Sequence, residues 1–228
     1  MRRLNRCLTR MVLTGAAGLV LALTGTRAMA DSPAMSFTAA PIGFSSYQTL
    51  GWQFTTNANV TVDALGYYDL AGDGLAVSHD VGIFDSGGTL LTSTTVAPGV
   101  VDALVGSFRY APITPYTLTA AQTYTIGGTT DTIGNPAGFD FWGFNVIGLT
   151  TDPAITVPAG AGRFKPTGGN SLLFPDLIGD SQVFAGPNFL IAPAASAVPE
   201  PCSLALLTTG ALPLLCIGRR RRLRAPTC

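Results

Sequence analysis

The sequence predicts an all-β fold, a single β-sandwich or jelly-roll domain over residues 31–191, on three observations. Apolar or β-branched residues recur in short runs, broken about every 8 to 12 positions by Gly, Pro, Asn or Asp. No long amphipathic-helix pattern interrupts these runs. The chain is 47% hydrophobic and only 11% charged, against roughly 25% charge in an ordinary soluble domain, which excludes a disordered tail, a coiled coil and a basic nucleic-acid module.

Taken in order, the runs predict strands over 50–55, 60–68, 79–85, 89–96, 104–111, 116–119, 123–127 and 139–147, with weaker ones around Ile155, Phe164, Val183 and Phe189. The stretch Phe84-Asp85-Ser86-Gly87-Gly88-Thr89-Leu90 reads as a hairpin, with Ser-Gly-Gly supplying the positive φ angles of a tight turn. Small, uncharged side chains at 192–198 suit a linker.

Charge divides the chain into three parts. Ten of the thirteen basic residues lie at the two ends, while residues 31–198 hold Arg109, Arg163 and Lys165 against twelve aspartates, a net charge of −9. A domain this acidic repels nucleic acid and anionic lipid. At the first end, basic residues 1–10 precede an apolar run at 11–23 and then Ala28-Met29-Ala30, the pattern of a cleaved signal peptide over residues 1–30 with Ala28 and Ala30 at the cleavage site. Thirteen helical residues span about 20 Å, short of the roughly 30 Å of a bilayer core. Cys7 precedes the apolar run, so it is not placed as a lipoprotein cysteine.

The other end carries Val198, Pro199, Glu200 and Pro201, an uncharged apolar run at 202–218, and then Arg219, Arg220, Arg221 and Arg222. The prolines stiffen an extended motif, the run is long enough to enter a membrane as a transmembrane helix, and the arginines stop it on the cytoplasmic side. This tail, residues 199–224 with Val198 ahead of it, resembles the PEP-CTERM sorting signal of bacterial surface proteins. The resemblance implies passive recognition by an exosortase, a membrane cysteine transpeptidase, after export by the secretion machinery and an inner-membrane intermediate. All four cysteines, Cys7, Cys202, Cys216 and Cys228, lie in these terminal segments, so the domain between them is held without disulfides.

Within the domain, Gly51-Trp52-Gln53-Phe54-Thr55, Val62-Asp63-Ala64-Leu65-Gly66, Asp73-Gly74-Leu75, His79-Asp80-Val81-Gly82-Ile83-Phe84-Asp85 and Phe108-Arg109-Tyr110 make the stretch 50–127 similar to the DUF4082-type β-sandwich. That resemblance implies a surface-binding or structural role and carries no established activity.

The inventory for catalysis is thin: one histidine, one lysine, and no cysteine or glutamate between residue 31 and Glu200. Asp85-Ser86-Gly87-Gly88 resembles the surroundings of a nucleophilic serine, but His79 is seven residues upstream on the same hairpin, where it cannot serve as the base. No catalytic residue is expected. The alternative is a secreted polysaccharide hydrolase using a pair of aspartates about 5 to 9.5 Å apart. No cofactor is expected either, with calcium the one candidate: Asp69, Asp73 and Asp80 crowd the same region as His79 and Asp85, yet they lack the D-x-D-x-D-G spacing of an EF-hand and suit turn capping better. Strand alternation puts Phe139 and Phe141 on one face and Trp142 and Phe144 on the other, which makes Trp142 a candidate stacking platform for carbohydrate if its face is open. Trp52, with Phe54 on its face, is the second such candidate.

The expectation is a non-enzymatic structural or binding domain, delivered to the cell surface or extracellular matrix, with extracellular polysaccharide a candidate partner. Glu200→Ala should leave the full-length precursor in the membrane fraction; mass spectrometry of the C-terminus checks it, and normal processing of that variant would refute the sorting assignment.

Overall fold

A computed structural model describes residues 30–44, 47–130, 138 and 140–193. The expected signal-peptide helix, Ala28, the sorting motif Val198 to Pro201, the apolar run and the arginine cluster lie outside the described residues. Among the described residues no helix is long and apolar enough to cross a membrane.

The described residues are all-β. In chain order the strands are β1 (Ser32–Pro33), β2 (Met35–Ser36), β3 (Ile42–Gly43), β4 (Gln48–Thr56), β5 (Val60–Tyr68), β6 (His79–Asp85), β7 (Leu90–Val96), β8 (Ala103–Val105), β9 (Phe108–Leu118), β10 (Thr123–Thr129), β11 (Trp142–Phe144), β12 (Thr150–Thr151), β13 (Ile155–Thr156), β14 (Gly162–Pro166), β15 (Leu177–Ile178), β16 (Phe184–Ala185) and β17 (Pro187–Ile191). Every pairing is antiparallel, so no crossover helices are required. One sheet runs β1-β17-β5-β9-β8 and a larger one runs β15-β14-β4-β10-β6-β7, with β13 added to β4. A small sheet, β16-β11-β3, and the pair β12-β2 complete the pattern.

Alternation along β4 and β5 explains why the two large sheets stack. Leu50, Trp52 and Phe54 on β4 share one face with fully buried side chains, and Val60, Val62, Leu65 and Tyr67 on β5 are likewise buried. The faces meet through aromatic rings: Trp52 stacks on Phe189 of β17 at 5.8 Å and 16°, and Phe54 lies 5.0 Å from the same ring. The indole nitrogen donates to the Pro187 carbonyl at 3.0 Å, so the one polar atom of this large side chain is satisfied inside the core. The first strand closes on the last, with Ser32 opposite Ile191 and Pro33 opposite Leu190.

Several expected elements are corrected. The strand expected over 104–111 is a hairpin: β8 ends at Val105, Gly106 adopts a φ of 62°, and the chain returns as β9. A second break was expected before 116, yet β9 continues through Pro112 and Pro115. It can do so because β9 itself bulges: Pro112 pairs with Ala64 and Tyr116 with Val62, so residues 113–115 of β9, Pro115 among them, face the single Asp63 of β5 and leave the ladder there. The 84–90 turn forms as read, but Gly88 alone has positive φ, and the Asp85 carboxylate organises the rest by accepting from Gly87 N at 2.9 Å and Thr89 N at 2.8 Å.

Trp52→Ala should cost about 3–5 kcal/mol in urea denaturation, the range for emptying a buried aromatic site. Gly169→Ala, where an added methyl meets open space, should stay within about 0.5 kcal/mol of the parent.

Candidate functional site

The aspartates are the first candidates, and most of their carboxylates are bound to loop backbone. Asp69, nearly fully buried, accepts from Gly72 N and Gly74 N at 3.0 Å each and from Arg109 Nε at 2.7 Å. The rest of that buried guanidinium donates to the Asp102 and Gly72 carbonyls, at 3.1 and 2.9 Å. Asp102 in turn accepts from Ala97 N at 2.6 Å. One buried ion pair thus ties the 69–75 loop to the 97–102 loop; removal of either partner would strand a charge in the interior.

The other acids follow the same pattern. Asp140 accepts from Ala76 N at 2.9 Å and Val77 N at 3.1 Å, and Asp152 accepts from Ala154 N at 2.8 Å and Ser32 Oγ at 2.6 Å. Asp80 accepts from Thr95 Oγ1 at 2.6 Å, and Asp73 stands exposed on its loop. Of the calcium candidates Asp69, Asp73 and Asp80, Asp69 is paired with Arg109, and among the described residues no three metal-ligating side chains come together.

His79 is fully buried. Its ring stacks on Tyr67 at 3.6 Å, with Nδ1 2.7 Å from the Thr129 carbonyl and Nε2 3.1 Å from Asp140. Both ring nitrogens face these acceptors, so the imidazole is turned away from Ser86 and acts as a core strut.

One close pair of carboxyls does exist. Asp63, opposite the β9 bulge, has an Oδ1 atom buried without a hydrogen-bond partner. Burial, then the charge of Asp31, push its carboxyl above the usual range, and a hydrogen bond to the Asp31 side chain adds to the rise while the backbone amide of Asp63 opposes it.

The two tryptophans separate. Trp52 is not a surface platform, because it lies wholly inside the core between the two sheets. Trp142 is half-buried and lines a groove of about 580 Å³, within the roughly 300–1,000 Å³ typical of small-ligand clefts. β11 contributes Trp142 and Phe144, whose rings lie 5.7 Å apart on the shared face that alternation predicts; Phe139 lies outside the described residues. Phe164 of β14 and Phe184 of β16 complete the aromatic lining, with Gln48, Asn145, Asp180 and Ser181 as its polar members.

Strand pairing builds this groove. Phe164 sits opposite Leu50, so it carries the inner face of the larger sheet outward from the core. The small sheet covers that extension in part: Phe184 meets Trp142 edge-on at 5.3 Å and 83°, and meets Phe164 at 6.4 Å and 83°. Trp142 pairs with Gly43 of β3, where a Cβ would lie 2.7 Å from the indole, so glycine is what lets the ring lie flat there. Sequence reading had no reason to select Gln48, Asn145, Phe164, Asp180 or Phe184, which are scattered over 137 positions of chain; the one local signal is Asn145, at a positive φ of 45° directly after the aromatic strand.

The profile of a family described as "domain of unknown function (DUF4082)" matches residues 37–181, more than half of the chain. The chain belongs to this family. The DUF4082 match extends beyond the 50–127 stretch that carried the resemblance, and it takes in β11, β14 and the 178–181 segment of the groove. No curated protein and no solved structure matches the chain.

Protonation is favoured at Asp63 in the folded state, so folding stability from this site is greatest at low pH and is lost as pH rises through the elevated value. Asp63→Asn should melt higher than the parent at pH 7, with the gap closing as pH falls through the elevated value and lost below the ordinary aspartate value of 3.8; scanning calorimetry across pH checks it.

Proposed function

We propose that this protein is an exported, exosortase-sorted component of the bacterial cell surface or extracellular matrix, and that its DUF4082 domain is a non-enzymatic binding module acting through the Trp142 groove. The observation that carries the reading is a contrast in how polar groups are used. Asp69, Asp102 and Asp140 are bound to backbone amides, and Asp69 to Arg109 as well, whereas among the described residues the groove is lined by four aromatic rings and a single carboxylate, Asp180. Glycoside hydrolysis requires two carboxyl groups flanking the bond. Asp31 and Asp63 interact with each other but neither lines the groove, so the hydrolase reading finds less support.

Export and sorting rest on the two terminal segments: the signal-peptide pattern and the Pro199-Glu200-Pro201, apolar-run and arginine order. The acidic domain complements that destination, since net negative charge keeps it soluble in a hydrated polymer and off anionic lipid. In an exosortase-bearing host, the parent chain should fractionate with the extracellular matrix, while a Trp142→Ala, Phe184→Ala double variant should be exported and processed equally well yet appear mainly in the medium. Equal matrix retention of the two proteins would contradict the groove's role.

A further inference from the structure

We infer that the Trp142 groove is a subsite for an uncharged pyranosyl chain, with the indole as stacking face and Gln48, Asn145 and Asp180 as partners for hydroxyl groups. The inference rests on the binding-module reading above and names its ligand class. A pyranose is amphipathic in one particular way: its ring faces present C–H groups and its edge presents hydroxyls. The groove has the matching division, with aromatic walls and a polar set of one amide from β4, one amide after β11, and one carboxylate before β16 beside the Ser181 hydroxyl, which is bonded to Asn145 N and the Val183 carbonyl. A wholly apolar occupant, such as an acyl chain, would cover those polar groups without offering them partners.

Charge narrows the class further. Among the described residues no cation lines the groove. The two nearest in sequence, Arg163 and Lys165, flank Phe164 on β14, so the pleat turns them to the opposite face of the strand. Both are engaged there: Arg163 donates to Gln53 Oε1 at 2.7 Å and to the Gly160 and Gly162 carbonyls, and Lys165 pairs with Asp176 at 2.7 Å. An acidic sugar, a sulfated glycan or a phosphate would meet Asp180 and a domain of net charge −9 with no compensating donor of positive charge. Pre-organisation favours a rigid, repetitive ligand: Trp142, Phe164 and Phe184 stand on paired strands and brace one another edge-on, so little freedom is lost on binding.

The chain has two tryptophans, one enclosed in the core and one in the groove, so intrinsic fluorescence reports on the groove directly. The full-length chain in a mild detergent should be titrated with cellohexaose, maltohexaose and a dextran hexamer, with an oligogalacturonate and an extended apolar peptide as the contrasting arms. At least one neutral hexamer should give a saturable fluorescence change in the parent; isothermal titration calorimetry, which does not need the indole, compares the variants, with affinity lowered at least about tenfold in Trp142→Ala, severalfold in Asp180→Ala, and held within about threefold in Trp142→Tyr. Unchanged melting temperatures separate lost contacts from lost fold, and the exposed Asp180 variant keeps the test decisive if Trp142→Ala does not fold. Binding of the oligogalacturonate or the peptide in place of every neutral chain overturns the inference, as does affinity indifferent to both Trp142→Ala and Asp180→Ala. If the matrix-retention experiment succeeds while all neutral chains fail here, the ligand class falls and the binding-module reading stands; if both fail, both fall.

Discussion

The stack of Trp52 on Phe189 is the contact on which the architecture depends. Trp52 sits in the middle of β4, which is hydrogen-bonded to β10 on one side and β14 on the other, while its ring reaches across to β17 in the second sheet and its indole N–H is held by Pro187. One residue therefore couples three strands of one sheet to the closing strand of the other. With no cysteine among residues 31–198, this burial performs the locking that disulfides provide in many exported domains. The groove inherits its geometry from the same contact, because Leu50 and Phe164 carry the Trp52 face outward until only the small sheet covers it.

Charge serves a second, separate purpose. In a domain with so few ionisable groups, aspartate is used as a backbone ligand: Asp69, Asp85, Asp102, Asp140 and Asp152 each accept from loop amides. This is the usual chemistry of short polar side chains in turns, extended here by a buried guanidinium that joins two loops. Loops held so tightly make a firm scaffold, and the apolar surface left open between strands is the one proposed above to meet a partner.

Much of the fold was legible in the sequence, and the reasons it failed elsewhere are physical. Alternation and turn residues placed Val60–Tyr68 and His79–Asp85 to the residue, because each strand has one face fully in the core. They failed at Gly106, where a single left-handed residue turns the chain, and at Pro112 and Pro115, where β9 bulges against its partner and so continues through residues that would break a regular ladder. The two-residue strands near the N-terminus carry too few positions to show any period. Trp52 and Trp142 look alike in sequence, each beside a second aromatic on its own face. Only the register of neighbouring strands distinguishes a ring enclosed by Phe189 from one that borders a cleft, and the same register assembles Gln48, Phe164, Asp180 and Phe184 from distant positions.

The central claim is that binding belongs to the aromatic groove while the acidic loops are structural. Hydrogen exchange of the full-length chain, with and without isolated extracellular matrix polymer, tests it most directly. The account predicts slowed exchange confined to the strands and segment around Trp142, Phe164 and Phe184, with the 69–75 and 97–102 loops unchanged. Protection centred on those acidic loops, with the groove unaffected, would contradict it.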